Sequence, residues 1–336
     1  MNEEGPFSDI NERTGSDDPT SISVVLPLFN KAQYVKRAVA SVMSQTVQVQ
    51  EIIVVDDGSD DGGPELIART FPTVRLLRQR NQGPGPARNA GIQAASFNWI
   101  AFLDPDDFWA PWHIVDLCRC IEFDRDLGLV ATGYAEWIQG QSMPRLRMSG
   151  KPRRVSYFRE AGRNKGIIWT SSAAASRSAL LDVGGFSDDA AGQDLVCWAI
   201  LALGYRVAYS PAQSAVYVRG VGGTVETLVS AVRKEPNKSA PARSMADISP
   251  SFAFVQAQLA QYPSRESELR RFLDGRLLGG VHTSLANRDV TQARSLRNEI
   301  YSPWKRYAHP MSLLAILPSS ISGGLWRLRH FLSRPN

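Results

Sequence analysis

The sequence predicts an α/β fold with a mostly parallel central sheet, followed by a helical C-terminal extension. Three features carry this reading. From Ser21 onward, short β-branched or apolar runs alternate with stretches of helical periodicity, the pattern of repeated βαβ units. The polar residues gather just after each run, where an open α/β sheet builds its ligand crevice. Beyond about Val221–Gly223 the alternation stops, and a polar linker (Lys234–Pro250) leads into helical patterns only.

Taken in order, residues 1–20 are polar, acidic and rich in Gly, Ser and Pro, the composition of a disordered tail. Ser21–Leu28 reads as a strand ending in a loop at Phe29-Asn30. Lys31–Ser44 reads as a helix with Tyr34, Val35, Ala38, Val39, Val42 and Met43 to one side. Glu51–Val55 is a second buried strand, closed by Asp56-Asp57-Gly58-Ser59. A helix over Pro64–Thr70, a strand near Val74–Leu77 and a helix over Pro86–Ala95 follow. Ile100–Leu103 is too short for a helix and ends in a proline turn, so it reads as a strand. A helix to about Phe123 and a strand near Leu129–Tyr134 come next. Gln141–Lys165 is basic, irregular and proline-bearing, a loop over the site. Gly166–Ala175 reads as a strand, Arg177–Val183 as a short helix, Gln193–Leu203 as a helix and Arg206–Tyr209 as a strand. The remainder reads as helices over Phe252–Tyr262, Glu266–Asn287 and Val290–Tyr301. The expected domains are therefore 1–20, 21–223 and 224–336.

Composition narrows the function classes. With 43% hydrophobic and 21% charged residues, the chain has the make-up of an ordinary globular protein. Three cysteines (Cys118, Cys120, Cys197) without paired spacing give neither a disulfide framework nor a zinc site, and read as buried thiols of a reducing compartment. Met1–Thr20 has no basic start and no apolar core, so it does not read as a signal peptide. No apolar run of about 18 residues occurs, and no membrane span is expected. The net charge of +5 is unevenly placed: the N-terminus is acidic, while Lys305, Arg306, Arg327, Arg329 and Arg334 follow Glu299 with no further acid. That asymmetry points to an anionic surface. Basic residues are not interleaved with aromatics in a stripe, so nucleic acid is not an expected partner.

The sharpest feature is Asp104-Pro105-Asp106-Asp107, three carboxylates crowded into four residues after a strand. Like charges this close repel unless a cation sits among them. Mg²⁺ or Mn²⁺, with oxygen ligands and positions left for substrate phosphates, is the natural counter-charge. The same residues would also serve as an acidic turn capping the next helix.

In combination the motifs closely resemble the family 2 glycosyltransferases. The residues are SVVLPLFN (Ser23–Asn30), SVMSQT (Ser41–Thr46), EIIVVDDGSDD (Glu51–Asp61), NQGPGPARNAGI (Asn81–Ile92) and FLDPDDFW (Phe102–Trp109), followed by GGF (Gly184–Phe186) and GQD (Gly192–Asp194). The resemblance covers roughly Ser21–Val218 and implies a GT-A fold, that of nucleotide-diphospho-sugar transferases, with inversion at the sugar carbon. It implies that Asp57 accepts a hydrogen bond from the nucleobase, usually uracil, and that Pro27 and Phe29 line the base pocket. Arg88 is similar to an arginine that reaches the nucleotide, with Gly83–Gly85 giving its loop close backbone approach. Asp104 and Asp106 match an Asp-x-Asp element, Asp106 as metal ligand and Asp104 beside it, nearer the ribose. Asp194 resembles the catalytic base. The expected partners are a UDP-sugar donor and an acceptor hydroxyl on a glycan or lipid-linked saccharide.

Two positions depart from the family pattern: Gln193 stands where Glu is common, and Ile200 near where an arginine is common. They keep open a second reading, a catalytically silent nucleotide-sugar-binding or scaffolding protein on the same fold. The Gln-x-x-Arg-Trp element of processive synthases is absent. Residues 311–332 place Leu314, Leu317, Ile321, Leu325, Leu328 and Phe331 near one helical face with Arg327 and Arg329 beside it. Such a segment either rests on anionic lipid or packs back on the domain. The expected location is the cytoplasm, with peripheral contact at the inner face of the membrane through this segment.

Overall fold

The structure is a computed structural model. It describes residues 20–221 apart from 125, 149, 164, 165 and 189–191, and residues 249–300 apart from 287–291, 293, 294 and 297. The predicted N-terminal tail through Pro19, the linker through Ile248 and the 311–332 segment lie outside the described residues. The chain divides into two compact units, 1–157 with 166–224, and 158–165 with 225–336.

The first unit is built on one sheet in the order β3-β2-β1-β4-β8-β6-β9-β5, with β7 also on β9. Its first half follows the predicted alternation: β1 (Ile22–Leu28), α1 (Ala32–Met43), β2 (Glu51–Asp56), α2 (Gly63–Thr70), β3 (Arg75–Arg78), α3 (Pro84–Ala94) and β4 (Trp99–Phe102). These four strands are mutually parallel, with Ser23 opposite Glu51 and Ile22 opposite Trp99. Buried on both faces, β1 and β4 read as continuous apolar runs rather than alternating ones. In α1, Val35, Ala38, Val39 and Val42 are buried at the i, i+3, i+4, i+7 spacing of one face. Each fully buried valine is worth roughly 1.5–3 kcal/mol. Tyr34 lies at the edge of that face, and Met43 is exposed.

The second half of the sheet is mixed, so the mostly parallel order holds only through β4. β5 (Phe108–Trp109), α4 (His113–Glu122), β6 (Leu127–Ile138), β7 (Arg153–Val155), α5 (Tyr157–Arg163), β8 (Ala173–Ser176), α6 (Arg177–Asp182), α7 (Gln193–Gly204) and β9 (Arg206–Arg219) follow. β8 runs antiparallel to both β4 and β6, whereas β6 and β9 are parallel. β9 extends far past Tyr209, the predicted end of this strand. The register shifts there, from Thr132 opposite Ser210 to Gly133 opposite Gln213, and proline is tolerated at such an irregularity because no ladder donor is needed. The predicted strand Gly166–Ala175 is shorter than expected: Thr170–Ser172 form a 3₁₀ turn and only Ala173–Ser176 pair. The predicted loop Gln141–Lys165 contains β7 and α5.

The second unit includes α5 from Phe158 onward, α8 (Pro250–Gln258) and α9 (Glu266–Ala286). Phe158 meets Phe272 edge-on at 5.8 Å, and Phe252, Val255, Leu269, Leu273 and Leu277 are buried. A Cβ on Gly275 would stand 2.1 Å from the Gly162 carbonyl oxygen, so two glycines let α5 and α9 approach closely. No described helix is long and apolar enough to cross a membrane.

Candidate active site

Because β2, β1 and β4 are adjacent and parallel, their carboxyl ends share one edge of the sheet. Phe29, Asp57 and the Asp104–Asp107 turn emerge there. Pro27 is buried in β1 opposite Val55, and Phe29 is 46% exposed beyond it.

Asp57 is buried and its carboxylate is already engaged. Oδ1 accepts from Gln79 Nε2 at 2.8 Å and from the Gln82 N–H at 2.9 Å, and Oδ2 accepts from the Gly83 N–H at 2.8 Å. Three of its roughly four acceptor positions therefore shape the loop entering α3. That loop turns at Gly83, whose φ of +95° suits glycine. Gly85 serves a different approach from the one expected: a Cβ there would lie 2.2 Å from the Ser187 carbonyl oxygen. The segment after Gly184-Gly185-Phe186 thus presses on the first turn of α3. Asn89 fastens the same contact, donating Nδ2 to the Phe186 carbonyl and accepting the Phe186 N–H, both at 2.8 Å.

Arg88, on α3, is buried. Its Nη2 donates to Asp104 Oδ1 at 2.6 Å, and its guanidinium lies 5.3 Å from the Phe186 ring centre. Nε and Nη1 reach no hydrogen-bond partner among the described residues. Buried cationic donors left unpaired are costly, and such groups are ordinarily met by an acceptor.

The three carboxylates of the turn have separate fates. Asp106 Oδ2 pairs with Lys31 Nζ at 3.0 Å, while its carbonyl accepts from Arg37 Nη2 at 2.6 Å. Burial first, then the nearby Asp104 charge, raises the Asp106 carboxyl above its ordinary range, with Lys31 pulling the other way. Asp107 points into the protein. Oδ2 accepts from Trp169 Nε1 at 2.8 Å and Ser171 Oγ at 2.6 Å, and Oδ1 accepts the Val218 N–H at 2.9 Å. Burial, with Asp104 and Asp106 close by, pushes it up to about 8. Asp107 is thus a brace of the turn. Asp104 and Asp106 are the two carboxylates of the turn that could hold a hard divalent ion, in competition with Arg88 and Lys31 and with its remaining oxygens taken from phosphate and water, since no cluster of three or more ligating side chains occurs among the described residues.

Asp194 sits in the first turn of α7, after Gly192 in the left-handed conformation. Its Oδ2 accepts from Thr170 Oγ1 at 2.9 Å. The next residue, Ser171, donates to Asp107 and accepts the Asp104 N–H at 3.1 Å, while its carbonyl accepts Trp109 Nε1 at 2.6 Å. One 3₁₀ turn therefore ties Asp194 to the acidic turn.

Several residues of this site escaped the sequence reading. Lys31 and Arg37 look like solvated helix positions, yet both face the turn. Arg37 lies 4.9 Å from the Phe108 ring centre and 5.6 Å from that of Trp137, and burial lowers its pKa against the pull of Asp107 and Asp106. Gln45, of the Ser41–Thr46 motif, donates to the Ala110 carbonyl at 2.8 Å and accepts the Ile114 N–H at 3.0 Å, anchoring the exit of the turn. A signal existed only for Thr170-Ser171-Ser172: hydroxyls inside an apolar run must find partners when buried.

The chain is similar to known proteins in both sequence and fold. Residues 23–184 match the model described as glycosyl transferase family 2, which ends short of Asp194. The uncharacterized glycosyltransferase YibD of Escherichia coli is 37% identical over 141 residues, spanning 38% of this chain and 40% of that protein. The succinoglycan biosynthesis protein ExoO of Rhizobium meliloti is 44% identical over 97 residues, 28% of each chain. The chain thus matches less than half the length of these relatives. Among solved structures, S. aureus TarS 1-349 in complex with UDP-GlcNAc superposes with a TM-score of 0.62 at 14% identity, covering 91% of this chain and 92% of that one. That likeness is one of fold, and the fold is GT-A. The similarity to glycosyl transferase family 2 thus spans residues 23–184, just under half of the 336-residue chain.

Proposed function

We propose that this chain is an inverting glycosyltransferase that moves a sugar from a nucleoside-diphosphate donor, with UDP-sugar favoured, to an acceptor hydroxyl on a glycan or lipid-linked saccharide. The observation that carries the reading is the Thr170-Ser171 turn, which bonds Asp194 on one side and Asp107 on the other. It supports a base and a diphosphate site within one rigid frame.

In this mechanism the acceptor oxygen attacks the sugar's anomeric carbon as the bond to the diphosphate breaks. The electron pair departs with the phosphate, and the hydroxyl proton passes to Asp194. Such base assistance is typically worth about 10²–10⁴-fold in rate. Asp104 and Asp106 would hold a Mg²⁺ or Mn²⁺ ion, which as a Lewis acid supplies charge neutralisation on the departing phosphate oxygens. Arg88 keeps Nε and Nη1 without a partner among the described residues, donors suited to a nucleotide phosphate; Asp57 holds the 79–83 loop in shape, and Phe29 offers an exposed ring to the base.

Thermal unfolding with a panel of nucleotide-sugars, with and without Mn²⁺, tests the donor. A ligand at about 100 times its Kd adds roughly 2.7 kcal/mol to the folded state. Stabilisation by a nucleoside-diphosphate sugar that depends on the metal supports the proposal; no stabilisation by any donor rejects it. TarS is described as a complex with UDP-GlcNAc, which makes that donor the first to try.

A further inference from the structure

The stretch between β6 and β7 carries a cluster of cations to which the mechanism above gives no role. Between Gln139 and Ser156 the chain carries five cations, Arg145, Arg147, Lys151, Arg153 and Arg154, and no carboxylate. Arg154 pairs with Asp124 at 2.5 Å, and Arg153 lies 5.8 Å from the Tyr209 ring centre. Arg145, Arg147 and Lys151 are exposed and form no ion pair among the described residues. Beside them Met143 is 51% exposed and Met148 is 65% exposed.

This display is held in place by its backbone. The Arg147 carbonyl accepts the Gln213 N–H at 2.7 Å, the Arg147 N–H donates to Gln213 Oε1 at 3.2 Å, and Ser210 Oγ donates to the Gly150 carbonyl at 3.1 Å. A Cβ on Gly150 would stand 2.6 Å from the Ala212 nitrogen, so the segment lies flat on β9, between β5 and β7. Covering an edge strand with cationic residues guards against unwanted pairing. Edge protection explains the cations; it does not explain two methionines turned into water. Gln213 precedes Val218, the donor to Asp107, by five residues, which sets the strip about 15 Å along the strand from the acidic turn.

We propose that Met143–Met148, with Gly150 and Lys151 beyond them, dock this protein on a bilayer containing anionic phospholipid. Arg145, Arg147 and Lys151 meet headgroup phosphates, and Met143 and Met148 enter the boundary between headgroups and acyl chains. Cations near such a surface each strengthen binding severalfold, and three together by on the order of 100-fold. Flexible, polarisable methionines suit an irregular apolar boundary. The surface is separate from residues 311–332 and does not depend on the transfer reaction.

Co-sedimentation of the full chain with phosphatidylcholine vesicles, with and without phosphatidylglycerol, tests this. The wild type is expected to bind only the anionic vesicles. R145E/R147E/K151E should bind on the order of 100-fold more weakly with an unchanged unfolding midpoint. M143S/M148S, which alters no charge, should also bind more weakly. The proposal is overturned by a wild type that does not sediment, or by a charge-reversed variant that sediments equally well. It is overturned too if only the cation variant loses binding, the result expected of a site for a soluble acidic polymer.

Discussion

Asp107 and Asp194 are held by consecutive hydroxyls: Ser171 Oγ donates to the first at 2.6 Å, and Thr170 Oγ1 donates to the second at 2.9 Å. The acidic turn after β4 and the first turn of α7 are thus registered against each other through two adjacent residues. Trp169 adds its indole N–H to Asp107 at 2.8 Å, so three successive residues serve the frame. A shared scaffold of this kind limits the freedom of both carboxylate groups, which is what a displacement reaction needs.

Ser171→Ala should therefore be costly out of proportion to its size. It removes a donor to Asp107 and leaves the Asp104 N–H without its acceptor. A loss of about 1–3 kcal/mol in urea-unfolding stability is expected, together with slower transfer. A variant of unchanged stability would show that the turn is held by other means.

Gly85→Ala tests the contact between α3 and the segment after Phe186. The added Cβ would sit 2.2 Å from the Ser187 carbonyl oxygen, a backbone atom with little room to yield. Overpacking of this kind costs typically 1–3 kcal/mol, measurable as a lower unfolding midpoint. Asn89 would hold the strained contact in place, so Gly85→Ala with Asn89→Ala should cost less than the sum of the two.

His113 gives a pH dependence with a definite sign. It is fully buried, Nδ1 meets Ser214 Oγ at 2.9 Å, and burial lowers its pKa to about 3. The unfolded chain takes up this proton near pH 6.5 while the folded chain does not, so stability falls as pH drops between those values. From pH 6.5 to about 4.5 the loss is about 2 kcal/mol. Asp116, raised to about 6 by burial, works in the opposite direction over part of that range. The readout is therefore the difference between wild type and His113→Gln, which should narrow on acidification; a constant difference would show that His113 does not titrate on unfolding.

Lys31 is the resident counter-charge of Asp106, at 3.0 Å, and also donates to the Val221 carbonyl at 3.0 Å. A divalent ion on Asp106 has to compete with it. Lys31→Met should tighten Mn²⁺ binding to the protein without nucleotide by about tenfold, equivalent to ~1.4 kcal/mol. Electron paramagnetic resonance of free Mn²⁺ reads this directly, and unchanged or weaker binding would show that Lys31 and the ion do not compete.

The half of the fold from β1 to β4 was legible because its signals are local. Continuous apolar runs such as Ile52–Val55 and the spacing of Val35, Ala38, Val39 and Val42 state both element and face. The acidic turn was legible for the same reason, since three carboxylates in four residues need an explanation wherever they fall. Its division of labour was not. Whether Asp106 or Asp107 turns inward depends on Trp169, Ser171 and Val218, far along the chain. β5 and β7 escaped because two or three residues carry no periodicity, and they exist only through pairing with β9. β9 itself was cut short at Tyr209, because the register shift against β6 that absorbs Pro211 has no local signal. Lys31 and Arg37 were hidden because a cation on an amphipathic helix reads as solvated until its neighbour across the turn is known.

The most direct test is release of nucleoside diphosphate from a UDP-sugar by wild type and by Asp194→Asn, with Mn²⁺ and acceptor present and donor affinity measured in parallel. Asparagine keeps an acceptor for Thr170, so the frame should survive. Unchanged donor binding and a fall in turnover of about 10²–10⁴-fold are expected. Turnover by the variant at the wild-type rate would contradict it.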